Sequence, residues 1–109
     1  MKKVKIYWTV FAERSLESIE NYITIESGSD NLARKYIGKL LARVDQLEFF
    51  PESGTKEPLL RDNQPVVRYL VEGNYKILYH ITENSIRISL IFHTSQEPEK
   101  LTQFLENDL

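Results

Sequence analysis

The sequence predicts an α+β fold: an N-terminal strand and a two-helix hairpin packed on an antiparallel sheet that three C-terminal meander strands complete. Three observations carry this. Between Ala12 and Leu47 apolar residues recur at three- and four-residue spacings, the period of a helix face. Between Val66 and His93 they recur at every second position, the period of a strand. The turns between the later strands, Gly73-Asn74 and Glu83-Asn84, are two residues long, which suits antiparallel hairpins.

In chain order, Lys3-Val4-Lys5-Ile6-Tyr7-Trp8 alternates charged and apolar residues before turning fully apolar, as a first strand does. Thr9 is the expected N-cap of the first helix, because its hydroxyl can accept a first-turn amide. Ala12, Leu16, Ile19 and Ile23 share one face of that helix, Glu13, Glu17 and Glu20 line a second, and Ser27-Gly28 supplies the C-terminal cap. Ser29 or Asp30 caps the second helix, whose predicted buried stripe is Ala33, Tyr36, Ile37, Leu40, Leu41, Val44 and Leu47. Lys35, Lys39 and Arg43 run beside that stripe, as a solvated face or a phosphate track. Pro51 ends the helix by disfavouring helical geometry in the residue before it. Residues 51–65 hold Pro51, Gly54, Pro58 and Pro65 without periodicity and read as a loop.

The meander follows as Val66 to Val71, Tyr75 to Thr82 and Ser85 to His93. Strict alternation puts Tyr75, Ile77, Tyr79 and Ile81 on the face that meets the helices. In the last strand it groups Ile86, Ile88, Leu90 and Phe92, leaving Arg87, Ser89, Ile91 and His93 on a mixed, open face. Residues 98–109 read as a tail or short helix around Leu101, Phe104 and Leu105.

With 109 residues, 41% of them hydrophobic and 28% charged, the chain suits one globular domain spanning 1–109. It has no cysteine, so neither a disulfide framework nor a thiolate site is available. No run approaches the roughly 20 apolar residues of a membrane helix, and a soluble, cytoplasmic protein without a membrane partner is expected. The formal charge of −2 argues against affinity built mainly on neutralising phosphates.

Glycine-rich phosphate loops, paired-histidine metal motifs and nucleophile elbows are absent from the sequence. His80 and His93 are the only histidines, and without a ligand spacing around them no metal and no cofactor is expected. The remaining chemistry is phosphodiester cleavage. That reaction needs a base, an acid and a cation for the developing charge. His93 supplies a candidate acid or base and Arg68 a bidentate grip on phosphate, with Arg87 or Lys76 assisting. The competing reading makes Arg68 a strand residue paired with a carboxylate and His93 a strand-end residue bonded to backbone. Tyr75 and Tyr79 suit core packing better than base stacking. Lys56 and Arg61, in the long loop, are candidate ligand contacts.

The ordered pattern over residues 4–101 resembles the RelE/ParE superfamily of type II toxin-antitoxin modules. Its parts are Ala12…Leu16…Ile19…Tyr22-Ile23, Ala33…Ile37…Leu40…Val44…Leu47, Pro51…Gly54, Arg68-Tyr69-Leu70, Tyr75-Lys76-Ile77-Leu78-Tyr79 and Ile91-Phe92-His93…Pro98. The resemblance implies the same α+β fold, a cognate antitoxin as partner and a role in plasmid stabilisation. It also implies either a homodimer or a toxin-antitoxin hetero-oligomer. RelE-like members cut messenger RNA on the ribosome with a basic cluster; ParE-like members poison DNA gyrase by binding it. Thr94-Ser95-Gln96-Glu97 stands here where nucleases tend to carry arginine and a later tyrosine, so the ParE-like branch is favoured and no catalytic residue is assigned. The alternatives are an endoribonuclease built on Arg68, His93 and Arg87, and a decayed toxin that retains only antitoxin binding. Arg68, Lys56, Arg61, Phe104 and Leu105 are the expected binding residues.

Overall fold

The computed structural model describes residues 3–57 and 66–96. In chain order they form β1 (Lys5–Trp8), α1 (Val10–Ser27), α2 (Asp30–Asp45), a 3-10 turn at Gln46–Glu48, β2 (Thr55–Lys56), β3 (Val67–Glu72), β4 (Tyr75–Ile81), β5 (Ser85–His93) and a 3-10 turn at Thr94–Gln96. The expected tail, with Phe104 and Leu105, lies outside the described residues, as does Arg61.

The helices start and stop where their caps dictate. The Thr9 hydroxyl accepts from Ala12 N at 3.0 Å, and that of Ser29 accepts from Leu32 N at 3.1 Å. Gly28 closes α1 at φ 69°, a left-handed conformation that glycine adopts without steric cost. Ala12, Ile19 and Ile23 of α1 and Ala33, Leu40 and Val44 of α2 are buried in one core with Leu47. The α2 stripe is narrower than predicted, because Tyr36 is 41% and Leu41 38% exposed. They are the two edges of the stripe, where a helix packed on a single layer turns to solvent.

The sheet is five-stranded in the order β1-β5-β4-β3-β2. It is mixed where an antiparallel sheet was expected, because β1 runs parallel to β5, from Lys5 opposite Ser85 to Trp8 opposite Ile88. Part of the predicted loop is a strand, with Thr55 and Lys56 pairing antiparallel with Tyr69 and Arg68. Two residues are too few to show a period in sequence. The β3–β4 turn has Gly73 at φ 59°, as a tight hairpin demands. At Glu83-Asn84 no positive φ occurs. That connection is closed instead by Thr82 N donating to Ser85 O at 2.8 Å.

One irregularity reorganises β5. Tyr79 pairs with Ile88 and Leu78 with Leu90, so Ser89 is an extra, unpaired residue, a β-bulge. Its carbonyl is satisfied from outside the ladder by the Thr9 hydroxyl at 3.1 Å, while Thr9 N donates to Ile88 O at 3.1 Å. The predicted alternation therefore fails past Ser89. Ile86 and Ile88 meet the helices, but beyond the bulge Ile91 joins that core and Leu90 and Phe92 face the other way.

That other face, expected to be mixed and open, buries Val67, Leu78, Leu90 and Phe92 with Tyr69 packed against them. It also holds an ion pair, Lys76 Nζ to Glu57 Oε2 at 3.2 Å, with both side chains almost wholly buried. The same ammonium lies 3.9 Å from the Tyr69 ring centroid. His80 stands on this face opposite Val67 and Arg87. Burial, and secondarily the Arg87 charge, hold its pKa below the ordinary 6.5.

The segment after α2 is tied to the sheet by polar contacts. Tyr79, fully buried, accepts from Gly54 N at 2.8 Å and donates to Pro51 O at 2.9 Å. Arg68 Nη1 donates to Gly54 O at 2.9 Å and to Glu52 O at 3.3 Å. A side chain at Gly54 would fall 2.5 Å from the Tyr79 hydroxyl and 2.8 Å from the Tyr69 carbonyl, so only glycine fits this approach.

Three outcomes follow from this packing. Thr9→Val removes the α1 cap and the bulge's carbonyl partner together, and is expected to lower stability by about 1–3 kcal/mol, read as a drop in urea midpoint at constant m. Lys76→Met removes the ammonium that pairs with the buried Glu57 carboxylate and is expected to lower stability by up to about 3–5 kcal/mol in the same measurement. The unfolded chain protonates its histidine before folded His80 does. Stability is therefore complete above pH 6.5 and declines as pH falls towards the folded-state value. His80→Gln should flatten that decline in melts recorded between about pH 5 and 8.

Candidate functional site

Because β1 ends at Trp8, opposite Ile88, the described residues provide no strand partner for β5 beyond the bulge on that side. α1 runs past this free edge instead, and between them lies a groove of about 690 Å³. Phe11, Arg14, Ser15, Ser18 and Tyr22 of α1 form one wall; Ile91 and His93 of β5 form much of the other. Phe11 is 54% and Tyr22 58% exposed, so both rings present apolar surface at the groove. They follow the spacing Phe11, Ser15, Ser18, Tyr22, a second stripe one residue out of step with the core stripe. That pattern is readable in the sequence, beside the stronger buried one.

At the far end, the Tyr75 and His93 rings meet edge-to-face, with centroids 5.4 Å apart at an interplanar angle of 86°. Burial, then the neighbouring hydroxyls of Tyr22 and Tyr36, raise the Tyr75 pKa above 10.0, so this phenol stays neutral across the physiological range. His93 Nδ1 accepts from Ser95 N at 3.0 Å and lies 2.8 Å from the Ser95 hydroxyl. An Nδ1 that accepts a backbone amide leaves the neutral ring's proton on Nε2.

The predicted cleavage residues are not brought together. Arg68 and His93 do lie on the same, helix-facing side of the sheet. Arg68, however, is opposite Tyr79 and His93 is opposite Tyr75, which puts them about 13 Å apart along the strands and about 10 Å across them. Arg68 Nη1 donates to the Glu52 and Gly54 carbonyls, so among the described residues its bonded partners are backbone atoms and not the carboxylate the alternative reading expected. Arg87 points to the opposite face from His93, beside His80. Lys76, the other assisting cation, is buried against Glu57. Lys56 and Arg68 are cross-strand neighbours and make a small cationic pair at the β2 edge, away from the groove. No group of three or more potential metal ligands occurs among the described residues, and no helix there is long and apolar enough to cross a membrane.

Residues 6–98 match a family described as the ParE toxin of type II toxin-antitoxin system, parDE. Among solved structures, the fold is similar to one titled "Chromosomal ParDE TA system from P. aeruginosa". It has a TM-score of 0.70 and 20% identity, over 84% of this chain and 96% of that one. It is also similar to a chain of the RelBE2 toxin-antitoxin complex from Mycobacterium tuberculosis, with a TM-score of 0.55 and 17% identity over 84% and 98% of the two chains. No curated protein sequence matches the chain.

Proposed function

Since the chain belongs to the ParE toxin family of type II toxin-antitoxin systems, we propose that it acts in the cytoplasm by binding and inhibiting DNA gyrase and that a cognate antitoxin neutralises it. The observation that carries the choice of mechanism is the dispersal of Arg68, His93 and Arg87. A phosphodiester-cleaving site needs its acid, base and cation within hydrogen-bond reach of one substrate. Here the cations hold backbone carbonyls, face the other side of the sheet, or lie buried in an ion pair. A toxin that works by occupying a protein surface needs no such convergence.

The groove beside α1 is the favoured antitoxin site. A free strand edge offers backbone donors and acceptors to an added strand, and the flanking rings of Phe11 and Tyr22 offer apolar area to a segment that folds as it binds. The expected contacts at Phe104 and Leu105 belong to this same proposal.

Purified toxin should inhibit gyrase supercoiling or trap gyrase on cleaved DNA, and addition of the antitoxin encoded beside it should restore turnover. Arg68→Ala should leave inhibition unaffected in any protein that folds, since this arginine serves the loop after α2. Unchanged gyrase activity together with cuts in translated messages would replace this reading with the endoribonuclease. Unchanged gyrase, intact messages and normal growth on overexpression would leave a decayed toxin that only binds its antitoxin.

A further inference from the structure

A smaller cavity of about 310 Å³ opens where the helical hairpin passes the β3–β4 turn, sharing Tyr22, Tyr75 and His93 with the groove. Its walls are unusually aromatic. Tyr75 and His93 stand perpendicular and form a corner, while Tyr22 of α1 and Tyr36 of α2 contribute half-exposed rings from the helices. Among the described lining residues Glu26 is the only carboxylate, and none is a lysine or arginine. Several π-rings with one carboxylate attract a cation, since ring faces carry negative quadrupole charge and the carboxylate adds a full one. Tyr36 already draws a cation, with Lys39 Nζ 5.7 Å from its centroid, although Lys39 does not line the cavity. A flat, weakly hydrated guanidinium suits such a box better than a compact ammonium, because it stacks on a ring while donating to an acid in its own plane.

We propose that the pocket formed by Tyr22, Tyr36, Tyr75, His93 and Glu26 receives an arginine side chain of the antitoxin. The assignment rests on the antitoxin reading above and adds the chemistry of one contact. The antitoxin main chain follows the groove, and the arginine enters the cavity at its end. Glu26 and Tyr22 are both exposed, so the pocket can be altered without disturbing the core.

The probe is N-acetyl-arginine amide, titrated into the full-length toxin with ring-labelled tyrosine and followed by NMR. N-acetyl-citrulline amide, of the same shape but neutral, serves as control, and binding of the neighbouring gene's antitoxin is measured in parallel. The Tyr22, Tyr36 and Tyr75 ring signals should shift saturably with the arginine compound and at least about fivefold more weakly with citrulline. Glu26→Gln should weaken the arginine response by a similar factor, and antitoxin affinity with it. Equal responses to the two compounds, or none at these rings, while the antitoxin still binds, would overturn the arginine pocket and leave the antitoxin reading standing. Failure of the wild-type protein to bind the antitoxin would overturn both.

Discussion

The hydroxyl of Thr9 holds two parts of the chain that lie 80 positions apart. It accepts the Ala12 amide that begins α1 and donates to the carbonyl of Ser89, the residue that β5 carries in excess of its partner strand. An unpaired carbonyl buried at a bulge would cost a substantial part of a marginal domain's stability. Supplying its donor from the helix cap fixes the start of α1, the end of β1 and the position of the bulge in one contact. Because side chains alternate along a strand, the position of the bulge decides which way each later residue of β5 points.

The consequences reach the groove beside α1. After the bulge, Ile91 enters the helix-side core and His93 meets Tyr75 at the end of the groove, while Arg87, before it, lies on the other face. The same break therefore assembles an aromatic corner beside α1 and separates the histidine from a cation that strict alternation would have placed with it. On the far face, Glu57 and Lys76 neutralise one another under apolar cover, and Arg68 with Tyr79 braces the segment after α2. Arg68, Lys76 and Glu57 are thereby committed to holding the fold.

Much of this was legible in the residues. The α1 core stripe, both N-caps, the Gly28 stop and the Gly73 turn depend on local chemistry and stand where the sequence placed them. The bulge does not, because Leu90-Ile91-Phe92 is apolar at every position and accepts either phase of the alternation. The parallel pairing of β1 with β5 and the two-residue β2 depend on contacts distant in sequence, which no window of residues records. Of the candidate site residues, His93 lies in the groove. Lys56 and Arg68 meet each other instead, and the groove's aromatic residues Phe11 and Tyr22 were hidden beside a stronger core pattern.

The phase of β5 beyond Ser89 decides which side chains reach the groove. A nuclear Overhauser spectrum of the folded protein tests it directly, through side-chain contacts of Leu90, Ile91 and His93. The bulge predicts that Ile91 methyls contact Ile19 of α1 and the His93 ring contacts Tyr75, with Leu90 near Leu78. Leu90 contacting α1 while Ile91 contacts Leu78 would show an unbroken alternation and contradict it.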